Sequence, residues 1–159
     1  MDAFEHHDHS GCVADALSAV EARCAQDGLR LTPQRRQVLE LLLREHRAMG
    51  AYDILERLNR DGARAQPPVA YRALDFLTRN GFAHRIERLN AFVACATPGG
   101  AHVPAFLICR ACDAVAETRP ETGPMDGAAA RAGFEIENRV IEAEGLCPRC
   151  RPDAKGPNA

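Results

Sequence analysis

The chain has 159 residues, 46% of them apolar, and a formal net charge of −2, enough for one domain or two small ones with a real core. No apolar run is long enough to cross a membrane, and the acidic, His-rich N-terminus has neither the basic nor the apolar stretch of a signal peptide. A cytoplasmic protein with no membrane partner is therefore expected.

The net charge hides a division. Residues 1–28 carry one Arg against six acids, residues 29–90 twelve Arg against seven acids, and residues 91–159 seven basic against nine acidic groups. A basic middle between acidic ends fits either a polyanion-binding module or a solvated Arg-rich surface. Arg outnumbers Lys nineteen to one, so part of the Arg use reflects overall codon preference.

Residues 1–12 read as a disordered His-rich tail. Val13, Ala16, Leu17, Val20 and Cys24 then recur at helical spacing to about residue 27, with Gly28 as the stop and Cys24 as a core residue. Thr32 and Pro33 are the N-cap and first residue of a second helix, which carries Val38, Leu39, Leu42 and Leu43 to about residue 45. A third helix fits residues 51–61, with Ile54, Leu55 and Leu58 inward. Pro67-Pro68 opens a fourth, carrying Val69, Tyr71, Leu74, Phe76 and Leu77 and ending at Asn80-Gly81. Alternating runs at 82–88 and 91–96, with a turn at Leu89-Asn90, read as a hairpin. Pro98-Gly99-Gly100 marks a linker, placed at 98–104. Beyond it, strands are expected at 106–108, 114–118 and 134–143, with an Ala-rich helix at 123–132 closed by Gly133. The tail from 152 to 159 reads as disordered.

Helices followed by a hairpin describe a winged helix-turn-helix over 13–97, with the Pro67-Pro68 helix as the recognition helix and the hairpin as the wing. Such helices enter the major groove by their N-terminal residues, here Val69, Ala70, Tyr71 and Arg72. Arg72 could read guanine by a two-pronged contact with O6 and N7. Tyr71 stands evenly between a core residue and a DNA contact.

The metal chemistry lies further on. Cys109-Arg110-Ala111-Cys112 and Cys147-Pro148-Arg149-Cys150 are two CxxC knuckles separated by 34 residues. Together they supply four sulfurs for one tetrahedral zinc ion. The alternative, two disulfides or ordinary buried thiols, sits poorly with a cytosolic chain. A second and more scattered set is His84, Cys95, His102 and Glu117. Each has an ordinary role singly, but together they make a nitrogen, sulfur, nitrogen and oxygen set that suits zinc.

Leu31-Thr32-Pro33-Gln34-Arg35, Ala51-Tyr52-Asp53-Ile54-Leu55, Pro67-Pro68 with Tyr71-Arg72-Ala73-Leu74, and the double CxxC resemble the ferric uptake regulator family. Arg72-Ala73-Leu74-Asp75-Phe76-Leu77, Gly81-Phe82-Ala83-His84 and the run Val140 to Cys147 resemble its zinc-sensing branch, the zinc uptake regulators. The resemblance covers about residues 13–151. It implies an α+β protein, with an N-terminal winged helix-turn-helix followed by a small α/β dimerisation domain at 105–151 that holds the four-cysteine zinc site. It implies a homodimer with two zinc ions per subunit that binds palindromic operator DNA and represses zinc-uptake genes. By resemblance Cys109, Cys112, Cys147 and Cys150 are the structural ligands, His84, Cys95, His102 and Glu117 the regulatory ligands, and Tyr52 and Arg72 DNA contacts. Two departures stand out. Val69-Ala70 replaces the family's usual Thr-Val, which removes a hydroxyl, and the His-rich stretch is N-terminal (His6, His7, His9, then Cys12) rather than C-terminal. Nothing beside those histidines would fix a coordination geometry, so the cluster is read as a tail without a built site.

Three other functions compete. A zinc enzyme needs an open coordination position and a base beside it. The deaminase signature is missing: no His-x-Glu occurs, and Ile108 and Leu146, not Pro, precede the knuckles. No catalytic residue and no small-molecule substrate are therefore expected. A zinc-ribbon interaction module would not need the helix–hairpin half. A sibling iron, manganese or peroxide sensor shares the fold, and Cys95, a thiolate ligand, favours zinc against it.

Overall fold

The computed structural model describes residues 10–45, 47–62, 64–98, 102–120, 123–137 and 139–152. The chain divides into two compact units, whose described residues run from 10 to 98 and from 102 to 152.

The first unit runs α1 (Ser10–Gln26), α2 (Pro33–Arg44), α3 (Ala51–Arg60), α4 (Pro67–Arg79), β1 (Ala83–Ile86) and β2 (Ala91–Ala94). Its core gathers one stripe from each helix: Leu17, Val20 and Cys24 from α1, Val38, Leu39 and Leu42 from α2, Ile54 and Leu58 from α3, and Leu74 and Leu77 from α4. Cys24 thus takes the core place expected of it. Helix α1 begins at Ser10, earlier than expected, and takes in Cys12, whose side chain is exposed. Val13 packs against the core, so contacts with the core reach into the first turns of this helix. His6, His7 and His9 lie outside the described residues, as do 153–159.

The caps follow their residues. The Thr32 hydroxyl accepts from the Arg35 N–H at 3.4 Å, with Pro33 at the first helical position. The Asp53 carboxylate, in the first turn of α3, accepts the Gly50 N–H at 3.2 Å. Gly81 ends α4 in the left-handed region, at φ 69°, and the Phe82 N–H returns to the Leu77 carbonyl at 2.8 Å. This Schellman closure turns the chain straight into the wing. Strands β1 and β2 pair antiparallel, His84 opposite Val93, and Met49 and Phe92 exchange two backbone hydrogen bonds that tie the wing to the α2–α3 connection.

The second unit has β3 (Ala105–Cys109), β4 (Val115–Thr118), α5 (Pro124–Ala132) and β5 (Ile141–Gly145). The sheet order is β4-β3-β5, with β3 antiparallel to β4 and parallel to β5. The strand expected at 134–143 is corrected: it starts only at Ile141. Two contacts explain the shift. Gly133 closes α5 at φ 65°, and the Phe134 N–H turns back to the Ala129 carbonyl, so residue 134 belongs to a helix end. Arg139 grips Asp126 through both nitrogens of its fork, at 2.6 and 3.2 Å, outside any ladder. Pairing then begins where β3 offers a partner, Ile141 with Ala105.

Candidate metal centres and nucleic-acid interface

The two knuckles are positioned by the sheet. Cys109 ends β3, and the Asp113 N–H folds back to its carbonyl at 2.9 Å, which brings Cys112 round. Cys147 follows β5, and the Cys150 and Arg151 N–H groups both return to its carbonyl. Because β3 and β5 are parallel neighbours, both knuckles emerge at the same end, and the Arg110 N–H bonds the Gly145 carbonyl between them at 2.9 Å.

The four sulfurs lie within 4.8 Å of one another, and Cys112 Sγ and Cys147 Sγ are 3.8 Å apart. Zn–S bonds of about 2.3 Å in a tetrahedron place sulfurs about 3.8 Å apart, so the set has the span zinc needs. The thiols are uneven. Backbone N–H groups, that of Cys147 foremost, hold Cys109 down to about 6, whereas the neighbouring Cys147 and Cys112 side chains push Cys150 up to about 12. Crowded sulfurs resist ionising together, and a divalent cation is what allows it.

The second ligand set falls in two pairs, one in each unit. In the winged helix, His84 lies on β1 and Cys95 just after β2, where its N–H bonds the Phe82 carbonyl at 3.0 Å. Cys95 is two residues along from Val93, the partner of His84, so the two project from one face of the hairpin, and their ligand atoms lie within 4.8 Å of each other. Cys95 is buried and His84 half-buried. In the second unit, His102 Nε2 and Glu117 Oε1 are 2.7 Å apart, both side chains largely sheltered. Two light-atom ligands of one zinc at about 2.0–2.1 Å sit roughly 3.3 Å apart, so this pair would spread by roughly 0.6 Å to accept the ion.

On the recognition helix, Ala70 is buried and cannot face DNA, contrary to its place among the expected groove residues. Pro68, Tyr71, Arg72, Asp75 and Arg79 form the exposed stripe. Tyr71 is 49% exposed, which removes the core reading for it, and Tyr52, at the start of α3, is 75% exposed. Arg79 is paired with Asp75 at 2.9 Å, whereas the Arg72 Nε donates only to the Pro68 carbonyl, at 3.2 Å. Sequence reasoning passed over Arg35 as a site residue. Its guanidinium lies 3.8 Å over the Phe76 ring of α4. A contact between residues 41 apart in the chain has no signal in spacing.

Fold and sites together define a winged helix-turn-helix protein with a second, small α/β unit built around a four-cysteine cluster. The ferric uptake regulator family matches residues 26–143, and the chain belongs to that family. The zinc uptake regulation protein of Escherichia coli K12 is 42% identical over 139 residues, which are 86% of this chain and 81% of that protein. A solved structure of a zinc uptake regulator complexed with zinc and DNA is also 42% identical, covers 87% of this chain and 94% of its own, and superposes with a TM-score of 0.82. The crystal structure of holo XcZur is 39% identical, with 84% and 95% covered and a TM-score of 0.76.

Proposed function

We propose that this protein is a zinc-responsive transcriptional repressor: a cytoplasmic homodimer that, loaded with two zinc ions per subunit, binds palindromic operator DNA and represses zinc-uptake genes. The carrying observation is that the thiol of Cys95 and the imidazole of His84 share one face of the wing that directly follows the recognition helix. Metal donors are thus built into the DNA-binding unit itself. The solved zinc uptake regulator complexed with zinc and DNA supports the same reading.

Cys109, Cys112, Cys147 and Cys150 hold the structural ion. His84 and Cys95 from the winged helix and His102 and Glu117 from the second unit are the two halves of the sensing site. Zinc bound there supplies a coordinate cross-link between donors of the two units. Residues 98–104 act as the hinge that this link restrains, which favours one state of the two DNA-binding heads. A dimer reads two half-sites only when head spacing matches the groove repeat. Residues 105–151 serve as the dimerisation domain. That assignment is supported by their exposed apolar side chains, Leu107, Met125, Phe134, Val140 and Ile141, where among the described residues the winged helix exposes only two tyrosines among its large hydrophobic side chains. Tyr52, Tyr71 and Arg72 contact DNA, and no residue has a catalytic role.

The reading is tested by titrating gel-shift affinity for a zinc-uptake promoter duplex with zinc, ferrous iron and manganese. Zinc is expected to switch binding on at the lowest free concentration, because Cys95 supplies a thiolate. A stronger response to iron or manganese refutes a zinc sensor and points to a sibling sensor. Arg72→Ala is expected to weaken operator binding by about 1–3 kcal/mol per half-site and to relax base preference at one position, which selection from a randomised half-site would reveal.

A further inference from the structure

Most arginines of the DNA-binding unit fall into two groups, Arg47 and Arg85 lying between them with looser carboxylate contacts at 3.7 and 3.6 Å. Arg23, Arg36, Arg44, Arg57, Arg60 and Arg79 each have a carboxylate oxygen within 2.9 Å. Among the described residues, Arg30, Arg35, Arg64 and Arg72 have no carboxylate partner. Arg30 and Arg35 flank the Thr32 cap at the start of α2, and Arg64 and Arg72 flank the start of α4. A surface groove lined by Pro33, Gln34, Arg64 and Val69 joins those two helix starts.

Arg35 is also held in place. Its guanidinium carbon lies over the Phe76 ring, one helical turn beyond Arg72, and its Nη1 donates to the Arg30 carbonyl at 2.5 Å. A guanidinium has five N–H donors in a rigid fork, so a contact with a ring and one donated N–H leave further donors for an anion. Cations gathered without internal counter-charges repel one another in the free protein, and a polyanion relieves that repulsion.

We infer that Arg35 and Arg64 are the phosphate grips that seat the recognition helix, binding backbone oxygens of duplex DNA while Arg72 reads a base. This rests on the DNA-binding reading above. Neither residue distinguishes sequences. Both set the register in which Arg72 meets its base.

The experiment uses the zinc-loaded full-length dimer and two duplexes: one selected by the protein from a random-sequence pool, and a scramble of it. Affinity is measured across salt concentrations for Arg35→Gln, Arg64→Gln, Arg35→Lys and two paired controls, Arg44→Gln and Arg60→Gln. Thermal unfolding of each variant checks the fold. Each lost phosphate contact lowers the slope of log K against log salt by about 0.9, hence about 1.8 for a dimer. Arg35→Gln and Arg64→Gln are expected to lose that slope and to weaken both duplexes by the same factor. Arg35→Lys keeps the charge and most of the slope, and the paired controls keep all of it. An unchanged slope for Arg35→Gln and Arg64→Gln overturns the proposal, as does an equal loss in the controls. A loss confined to the selected duplex overturns it too, since that marks base reading. Wild-type protein that binds neither duplex refutes the DNA-binding reading itself, and that failure is distinct from variants that match a wild type which binds.

Discussion

Cys147→Ser protein is expected to lose its tightly held zinc and, with it, the fold of the second unit, while the winged helix stays folded. The two units have different sources of stability. The winged helix buries a stripe from each of four helices around Val38, Ile54 and Leu77. The second unit has Phe106 and Ile108 as its only large buried side chains among the described residues, and α5 buries none. A core that small rarely supplies more than about 3–5 kcal/mol, whereas a structural zinc site contributes on the order of 10 kcal/mol or more at neutral pH. Cys147 lies centrally in the cluster: it is buried, it is 3.8 Å from Cys112, and its carbonyl organises its own knuckle. A hydroxyl there is a poor ligand and leaves three crowded thiols. Zinc per chain, sedimentation and amide exchange resolved by segment would report the outcome. Exchange should rise throughout 105–145 and stay slow in α2 and α4. A variant that remains dimeric, with a protected β3–β5 ladder and one zinc fewer, would show the cluster to be dispensable for folding. Because the ligands must be thiolates, wild-type protein should release this zinc on acidification and regain it when the pH is restored.

The complementary substitution, Cys95→Ser, should leave the four-cysteine zinc and the dimer intact and abolish zinc-dependent operator binding. Cys95 is buried at the end of the wing, where Ser fits the volume and its backbone bond to Phe82 is kept. What is lost is the single soft ligand of the proposed sensing site. Outer-shell partners alone cost about 10–100-fold in metal affinity, so loss of a first ligand should cost at least about 100-fold. His84→Ala should behave alike. Glu117→Ala should be milder, since water can take one oxygen position, although it also frees His102 from its 2.7 Å partner. Stoichiometry and gel-shift affinity have to be measured on the same samples. Should Cys95→Ser load a second zinc and bind operator at wild-type zinc levels, the sensing site is not on the wing, and His6, His7, His9 and Cys12 become the next candidates.

What the sequence determined by itself is what local geometry controls. Helix starts at Thr32-Pro33 and Pro67-Pro68, and stops at Gly28, Gly81 and Gly133, follow from cap and backbone preferences that act within one turn. The CxxC knuckles are equally local, because two thiols three residues apart form half a zinc site in any fold that turns there. Tertiary structure decided what depends on partners far along the chain. Strand β5 starts at Ile141 because β3 is five residues long and Arg139 is held by Asp126, neither of which alternation in 134–143 can reveal. Tyr71 is exposed and Ala70 buried because α4 turns one particular face to α2, whereas pattern alone left Tyr71 even between core and DNA and set Ala70 in the groove. His102 meets Glu117 across 15 residues because β3 and β4 pair antiparallel and carry Glu117 back beside the strand that His102 precedes. Which arginines are neutralised is in part the same kind of fact: Arg23, Arg44, Arg60 and Arg79 find acids four residues away, but others depend on packing. Composition counts twelve in the basic segment, but only packing brings a distant carboxylate to Arg36 and Arg57 and an aromatic ring to Arg35. Charge is written in the sequence, but whether it remains available for a partner depends on the distances that folding sets.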